Sequence, residues 1–136
     1  MKRNTKGFTL IELLAVIVVL AIIALIATPI VLNLINQARE GAAESSSTAY
    51  IKAVENSVLV SMLDDNSFAL TDTCNVSEKT VTCTSKTFNV DVDGTVPKAG
   101  TIKFVDGGIT EAEFTNISGY KVSYANGVSD VTGKAE

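Results

Sequence analysis

The chain has 136 residues, room for one modest domain but not for two with sizeable cores. It contains no histidine and no tryptophan, which removes the commonest general acid–base residue and leaves no Ser–His or Cys–His pair for nucleophilic catalysis. A net charge of −4 supplies no basic surface for a phosphate backbone, so direct nucleic-acid binding is not expected.

The basic residues are unevenly placed. Lys2, Arg3 and Lys6 precede an almost wholly apolar run at 8–32; removing them from the 11 basic residues leaves 8 against 15 acidic ones. As a helix, these 25 residues reach about 37 Å, enough to cross a hydrocarbon core of about 30 Å. Basic flanks stay cytoplasmic, so the polar remainder of the chain belongs outside. A secretory signal peptide would show a shorter apolar stretch and small residues before its cut, which Leu25-Ile26-Ala27 does not provide. A plain single-pass anchor accounts for the length and the charges but not for Glu12, an acid near the start of the apolar run.

A carboxylate at the centre of a bilayer costs roughly 2.5–3.5 kcal/mol on insertion scales, so an acid in such a run calls for a partner or a purpose. No Lys, Arg or His lies between Gly7 and Ala38. Cleavage after Gly7 would create one, because the new α-amine on Phe8 lies one helical turn before Glu12. Met1-Lys2-Arg3-Asn4-Thr5-Lys6-Gly7 followed by Phe8-Thr9-Leu10-Ile11-Glu12-Leu13-Leu14 resembles the class III signal of type IV pilins and pseudopilins. The resemblance implies a leader at 1–7, removed between Gly7 and Phe8 by a prepilin peptidase that also methylates the new amine. It implies that Phe8 and Glu12 serve subunit docking and that Pro29 is the helix-kinking proline. The partners implied are further copies of the chain in a helical homopolymer, the peptidase, an assembly platform with its ATPase motor, and the membrane before assembly.

Beyond Leu32 the helical pattern continues to about residue 63. Ile51, Val54, Val58 and Met62 form one stripe, bordered by Tyr50, while Lys52, Glu55 and Asn56 face outward. Asp64-Asp65-Asn66 ends the helix, and Gly41 with Ser45-Ser46-Ser47 makes a break or bend in its middle an open alternative. From 8 to 63 the rod would span roughly 84 Å.

The remainder reads as antiparallel strands at 87–92, 101–105, 109–115, 120–124 and, more weakly, 128–131. Asp93-Gly94, Lys98-Ala99-Gly100, Asp106-Gly107-Gly108 and Asn126-Gly127 serve as turns between them. Cys74 and Cys83 bound a small hairpin whose ends a disulfide would staple in an oxidising compartment; two free thiols are the alternative. The expected fold is α+β, type IV pilin-like: a long N-terminal helix whose C-terminal half packs on a small antiparallel meander. Its parts are the leader at 1–7, a membrane or filament-core helix at 8–32, and an extracellular domain at 33–136.

Asp91-Val92-Asp93-Gly94, with Asp106, lacks the further oxygen ligands of a calcium loop and reads as turn acids. Asn75-Val76-Ser77 and Asn116-Ile117-Ser118 are formal glycosylation sequons. No catalytic residue, cofactor or metal is expected. The function these features favour is a major pilin, made at the cytoplasmic membrane and assembled into a surface filament for adhesion or motility. A minor pilin or pseudopilin of a secretion or DNA-uptake system shares the same helix. A monomeric membrane-anchored adhesin or sensor domain is the reading from a different class.

Overall fold

The computed structural model describes residues 4–64 and 71–136. Lys2, Arg3, Asp65 and Asn66, which carry the expected basic flank and helix stop, lie outside these. One helix, α1 (Leu10–Asp64), is followed by seven strands: β1 (Asp72–Ser77), β2 (Thr80–Thr82), β3 (Thr87–Asn89), β4 (Gly100–Val105), β5 (Gly108–Ile117), β6 (Tyr120–Ala125) and β7 (Val128–Lys134). They form a single antiparallel sheet in the order β3-β2-β1-β4-β5-β6-β7, so the architecture is α+β, consistent with a pilin-like fold. Contacts divide the chain into two units, Met1–Gln37 and Ala38–Glu136.

In the first unit α1 starts at Leu10 and continues through Pro29. Its apolar side chains are exposed on every face, from Leu10 at 84% to Ile35 at 40%, so nothing in this unit covers them. Among the described residues this is the one helix long and apolar enough to cross a membrane.

In the second unit α1 is one-sided. Ala43, Ser47, Tyr50, Ile51, Val54 and Val58 are buried at helical spacing, and Met62 packs at the edge of the same core. Tyr50 does more than border the stripe: it is fully buried, and its ring meets Phe114 edge-on at 5.6 Å. Its hydroxyl donates to the Glu78 carbonyl at 2.8 Å. Burial pushes the Tyr50 phenol well above its ordinary pKa, so it remains a donor throughout the physiological range. The helix does not break at Gly41 or at Ser45-Ser46-Ser47. Gly41 costs about 1 kcal/mol relative to alanine in a helix interior, but core contacts on the next turn outweigh that. Ser47 is buried with its hydroxyl accepting from Ser129 at 3.2 Å, and Ser129 also bonds Thr48 at 3.0 Å, so these serines tie α1 to β7.

Two rows of residues cross the whole sheet. The inward row runs Phe88, Val81, Val76, Gly100, Phe114, Val122, Val131 and meets the helix stripe. The next row runs Thr87, Thr82, Asn75, Thr101, Glu113, Ser123, Asp130 on the outward face, without an apolar side chain. Gly100 is therefore a strand residue rather than a turn residue. A Cβ there would strike the Glu113 carbonyl oxygen and come within 2.8 Å of the Phe114 ring, which fills the gap left in the row.

The strand expectations differ from the structure mostly at their ends. The strand expected at 87–92 stops at Asn89, because its partner β2 is only three residues long. Val90 and Val92 stay buried beyond it, and the Val90 amide bonds the Lys79 carbonyl at 2.7 Å. β4–β7 form a meander, but β1–β2–β3 with β4 returning beside β1 make a Greek key. Three hairpins turn on two residues of positive φ: Asp106-Gly107 (52° and 82°), Ser118-Gly119 (53° and 85°) and Asn126-Gly127 (53° and 86°). That combination is the type I′ turn, whose twist matches the strands it joins. Ser118-Gly119 was not expected as a turn. Asn116 supports it, its amide oxygen accepting the Gly119 N–H at 3.2 Å, so this sequon asparagine serves the fold.

At the β1–β2 turn Glu78 also has a positive φ, 53°, while its N–H donates to the Pro97 carbonyl at 3.1 Å. A side chain in this region costs roughly 1–2 kcal/mol, partly offset because glycine is more flexible in the unfolded chain. Glu78→Gly is expected to raise the thermal midpoint of the sheet by a few degrees, read from its circular dichroism in micelles. A lower midpoint would show that the turn's side chain contributes more than its backbone strain costs.

Candidate functional site

The N-terminal end of α1 is built by a reciprocal pair of hydrogen bonds. Thr9 caps the helix: the Glu12 N–H donates to the Thr9 hydroxyl at 3.3 Å, and the Thr9 N–H donates to Glu12 Oε2 at 2.9 Å. The Leu13 N–H adds a backbone bond to the Thr9 carbonyl at 3.3 Å. This is a capping box, spelled here Thr9-Leu10-Ile11-Glu12. It satisfies two of the donors that a helix start leaves open and places a carboxylate where the helix dipole favours negative charge.

Sequence reasoning left Glu12 without a partner before cleavage. The structure gives it one on its own chain, and Thr9 is the residue that reasoning missed. The T-x-x-E spacing was the available signal. The box also sets where the helix starts. Residues 4–9 are non-helical and exposed, and Gly7 has no other heavy atom within 4 Å of where a Cβ would stand. Phe8 is 85% exposed. The Gly7–Phe8 peptide bond thus lies in open chain just ahead of the helix, with Glu12 in the first turn beyond it. Pro29 lies farther along the same exposed, apolar stretch of helix.

A motif model confirms what this stretch is. Residues 2–28 match the prokaryotic N-terminal methylation motif. The chain carries the class III signal of type IV pilins and pseudopilins. The match ends at Thr28 and leaves the sheet domain uncovered. No curated protein and no solved structure matches the chain. The class III signal implies processing by a prepilin peptidase and handling by a pilus or secretion machinery, and with the apolar helix it fits a membrane-anchored precursor.

The second constellation lies in the sheet domain. Cys74 in β1 and Cys83, one residue past the end of β2, are joined in a disulfide, their Cα atoms 4.2 Å apart. Asp72 clamps the base of this loop. One carboxylate oxygen accepts the Thr84 N–H at 2.8 Å; the other accepts the Thr84 hydroxyl at 3.0 Å and the Thr73 N–H at 2.8 Å. Asp72 and the two sulfurs lie within 4.8 Å of one another, but both sulfurs are bonded to each other, so no thiolate is left to bind a metal. Asp91, Asp93 and Asp106 are not part of this group.

Desolvation works to raise the Asp72 pKa, but the hydrogen bonds from the Thr84 side chain and from the backbone of Thr84, Thr73 and Ser85 outweigh it and hold the pKa below the usual value. A folded pKa below the unfolded one contributes stability that is present at neutral pH and lost on acidification. The thermal midpoint of the sheet is expected to be steady from pH 7 to about 5 and to fall below about pH 4, where ordinary aspartates titrate. Asp72→Asn should flatten the part of that fall owed to this clamp. An identical acid profile in the variant would remove Asp72 from the account.

Proposed function

We propose that the chain is a major pilin. In this reading residues 1–7 are a leader removed between Gly7 and Phe8. Residues 8–32 anchor the precursor in the cytoplasmic membrane and then form the filament core, and residues 33–136 form the domain displayed outside the cell. The observation that carries the reading is an apolar helix exposed on every face, with one carboxylate in its first turn, whose N-terminal part lies within a methylation motif. Such a helix needs lipid or other copies of itself around it, and head-to-tail association that does not close produces a filament. The polar outward row and the Cys74–Cys83 disulfide suit a domain that meets solvent in an oxidising place.

The test is to shear native cells and determine the N-terminus of this chain in the released material by mass spectrometry. A methylated Phe8 in an abundant sheared fraction is the expected result. The same mature end found only in membranes would replace a major pilin with a pseudopilin. An intact Met1 would leave a plain membrane anchor and overturn the reading.

A further inference from the structure

The Cys74–Cys83 disulfide lies beside a carboxylate that no cation partners. Asp72 holds an oxygen within 4.8 Å of both sulfurs. It is ionised at neutral pH, since its pKa stays below the usual carboxylate value. Among the described residues the one ion pair is Lys103 with Glu111, so neither lysine nor arginine is paired with Asp72. The cysteines are covered, Cys74 completely and Cys83 to 8% exposure. Their surroundings are also fixed: the Asp72 clamp holds Thr84, and the Cys83 N–H donates to the Lys86 carbonyl at 2.8 Å.

We propose that Asp72 is an electrostatic guard on this disulfide: its negative charge slows reduction of the bond by small external thiols. Exchange begins when a thiolate attacks one sulfur of a disulfide and expels the other. Cys83 is the less buried of the two, so attack enters there. The reductant's sulfur bonds to Cys83 Sγ, the bond to Cys74 breaks, and its electron pair leaves on Cys74 Sγ, which takes a proton from water. A second thiolate then attacks the reductant's sulfur in this mixed disulfide. That step releases the Cys83 thiolate and yields the oxidised, disulfide-linked reductant. Asp72 opposes the first step twice. It repels the incoming anion, and it disfavours the anion formed on Cys74, which burial already disfavours. A thiol whose pKa is raised is the slower leaving group. One charge about 5 Å away changes such a rate by about fourfold in water-like surroundings, and by more in a partly buried site. The guard operates on a single chain and does not depend on whether copies polymerise.

The experiment reduces the purified full chain in micelles with three small thiols: cysteamine, 2-mercaptoethanol and 2-mercaptoethanesulfonate. Their thiolates are increasingly negative, because cysteamine's ammonium offsets its sulfur and the sulfonate adds a second charge. Thiols appearing at Cys74 and Cys83 are alkylated and counted by mass spectrometry. Asp72→Asn is expected to speed reduction by cysteamine about threefold and by the sulfonate thiol about tenfold or more, with mercaptoethanol between. Loosening of the clamp alone would speed all three alike, so the spread reads the charge. Asp72→Ser also lacks the charge and keeps an oxygen. It repeats the comparison, and either variant serves if it retains the circular dichroism of the sheet. Asp130→Asn removes a charge from β7, at the far edge of the sheet, and should leave every rate within about twofold of wild type.

Wild-type rates in the Asp72 variants would overturn the inference, and so would equal acceleration by the three thiols. The same spread from Asp130→Asn would also overturn it, by assigning the effect to net charge. The major-pilin reading survives each of these outcomes, and its own failure in sheared cells would leave the guard standing.

Discussion

Glu12→Ala is expected to leave the chain in the membrane at normal or higher levels while nearly abolishing sheared filament. Removing the carboxylate removes an insertion cost, smaller than the roughly 2.5–3.5 kcal/mol of a charge at a bilayer's centre because Glu12 stands near one end of the run, so the anchor itself does not suffer. On the filament reading proposed above, what is lost is the one charge on the apolar surface able to recognise another subunit's amine. Two unit charges about 4 Å apart at an effective dielectric near 20 attract by about 4 kcal/mol. Losing even half of that at each docking step weakens addition by more than about tenfold, since about 1.4 kcal/mol is a factor of ten, and a polymer compounds the loss at every addition. Glu12→Gln separates the two duties of the side chain. Its amide oxygen can still accept the Thr9 N–H, so the cap persists while the charge is gone. Both variants are expected to fail in assembly. Wild-type filament from Glu12→Gln would show that capping, and not charge, is what the acid supplies. Wild-type filament from Glu12→Ala would remove Glu12 from any docking role.

Phe114→Ala is expected to have the largest effect on the sheet domain. Phe114 is 1% exposed, lies in the inward row between Gly100 and Val122, and receives the Tyr50 ring at 5.6 Å. Truncating a buried phenylalanine costs about 3–5 kcal/mol, a large share of the roughly 5–15 kcal/mol that a domain holds in total. The midpoint of the sheet's thermal transition should fall by about 12–40 °C, at roughly 4–8 °C per kcal/mol for a domain of this size. The local backbone makes the loss hard to repair. Gly100 exists to admit the ring, so its removal leaves a hole bounded by a residue with no side chain. Tyr50→Phe is the contrasting variant. It keeps the ring contact and loses only the hydroxyl bond to the Glu78 carbonyl, worth about 1 kcal/mol. Equal losses in the two variants would mean that the ring packing is not the seat of the stability. Circular dichroism of the full chain in micelles distinguishes them, because the helix in detergent should outlast the sheet.

Much of this was legible in the sequence, for reasons that vary by element. The apolar run and Glu12 could be read because a single charge among uniformly apolar neighbours stands out against any background. The helix stripe at Ile51, Val54 and Val58 could be read because its period is local, and the Asp106-Gly107 and Asn126-Gly127 turns because positive φ selects those residues. Less accessible were features decided by neighbours distant in the chain. Gly100 looked like a turn residue because nothing local shows that Phe114 crosses over it. The strand beginning at Thr87 ends early for want of partner length in β2, which sequence alternation does not record. Ser47 seemed to weaken the helix because its partner, Ser129, comes 82 residues later. The Greek key rests on β4 choosing β1 over β3, a pairing that no spacing within one strand encodes. Thr9 was a different kind of omission: its T-x-x-E signal was local, but the search for Glu12's partner looked only for positive charge.

The outward row from Thr87 to Asp130 has a consequence for how such a chain can change over generations. Its seven side chains point away from the core, and strand alternation keeps each substitution there out of contact with the inward row. Surface replacements of this kind usually shift stability by no more than about 0.5 kcal/mol. The outward face can therefore be rewritten, residue by residue, while the inward row and the helix stripe stay constant. A lineage could present a new exterior to its surroundings without relearning how to fold.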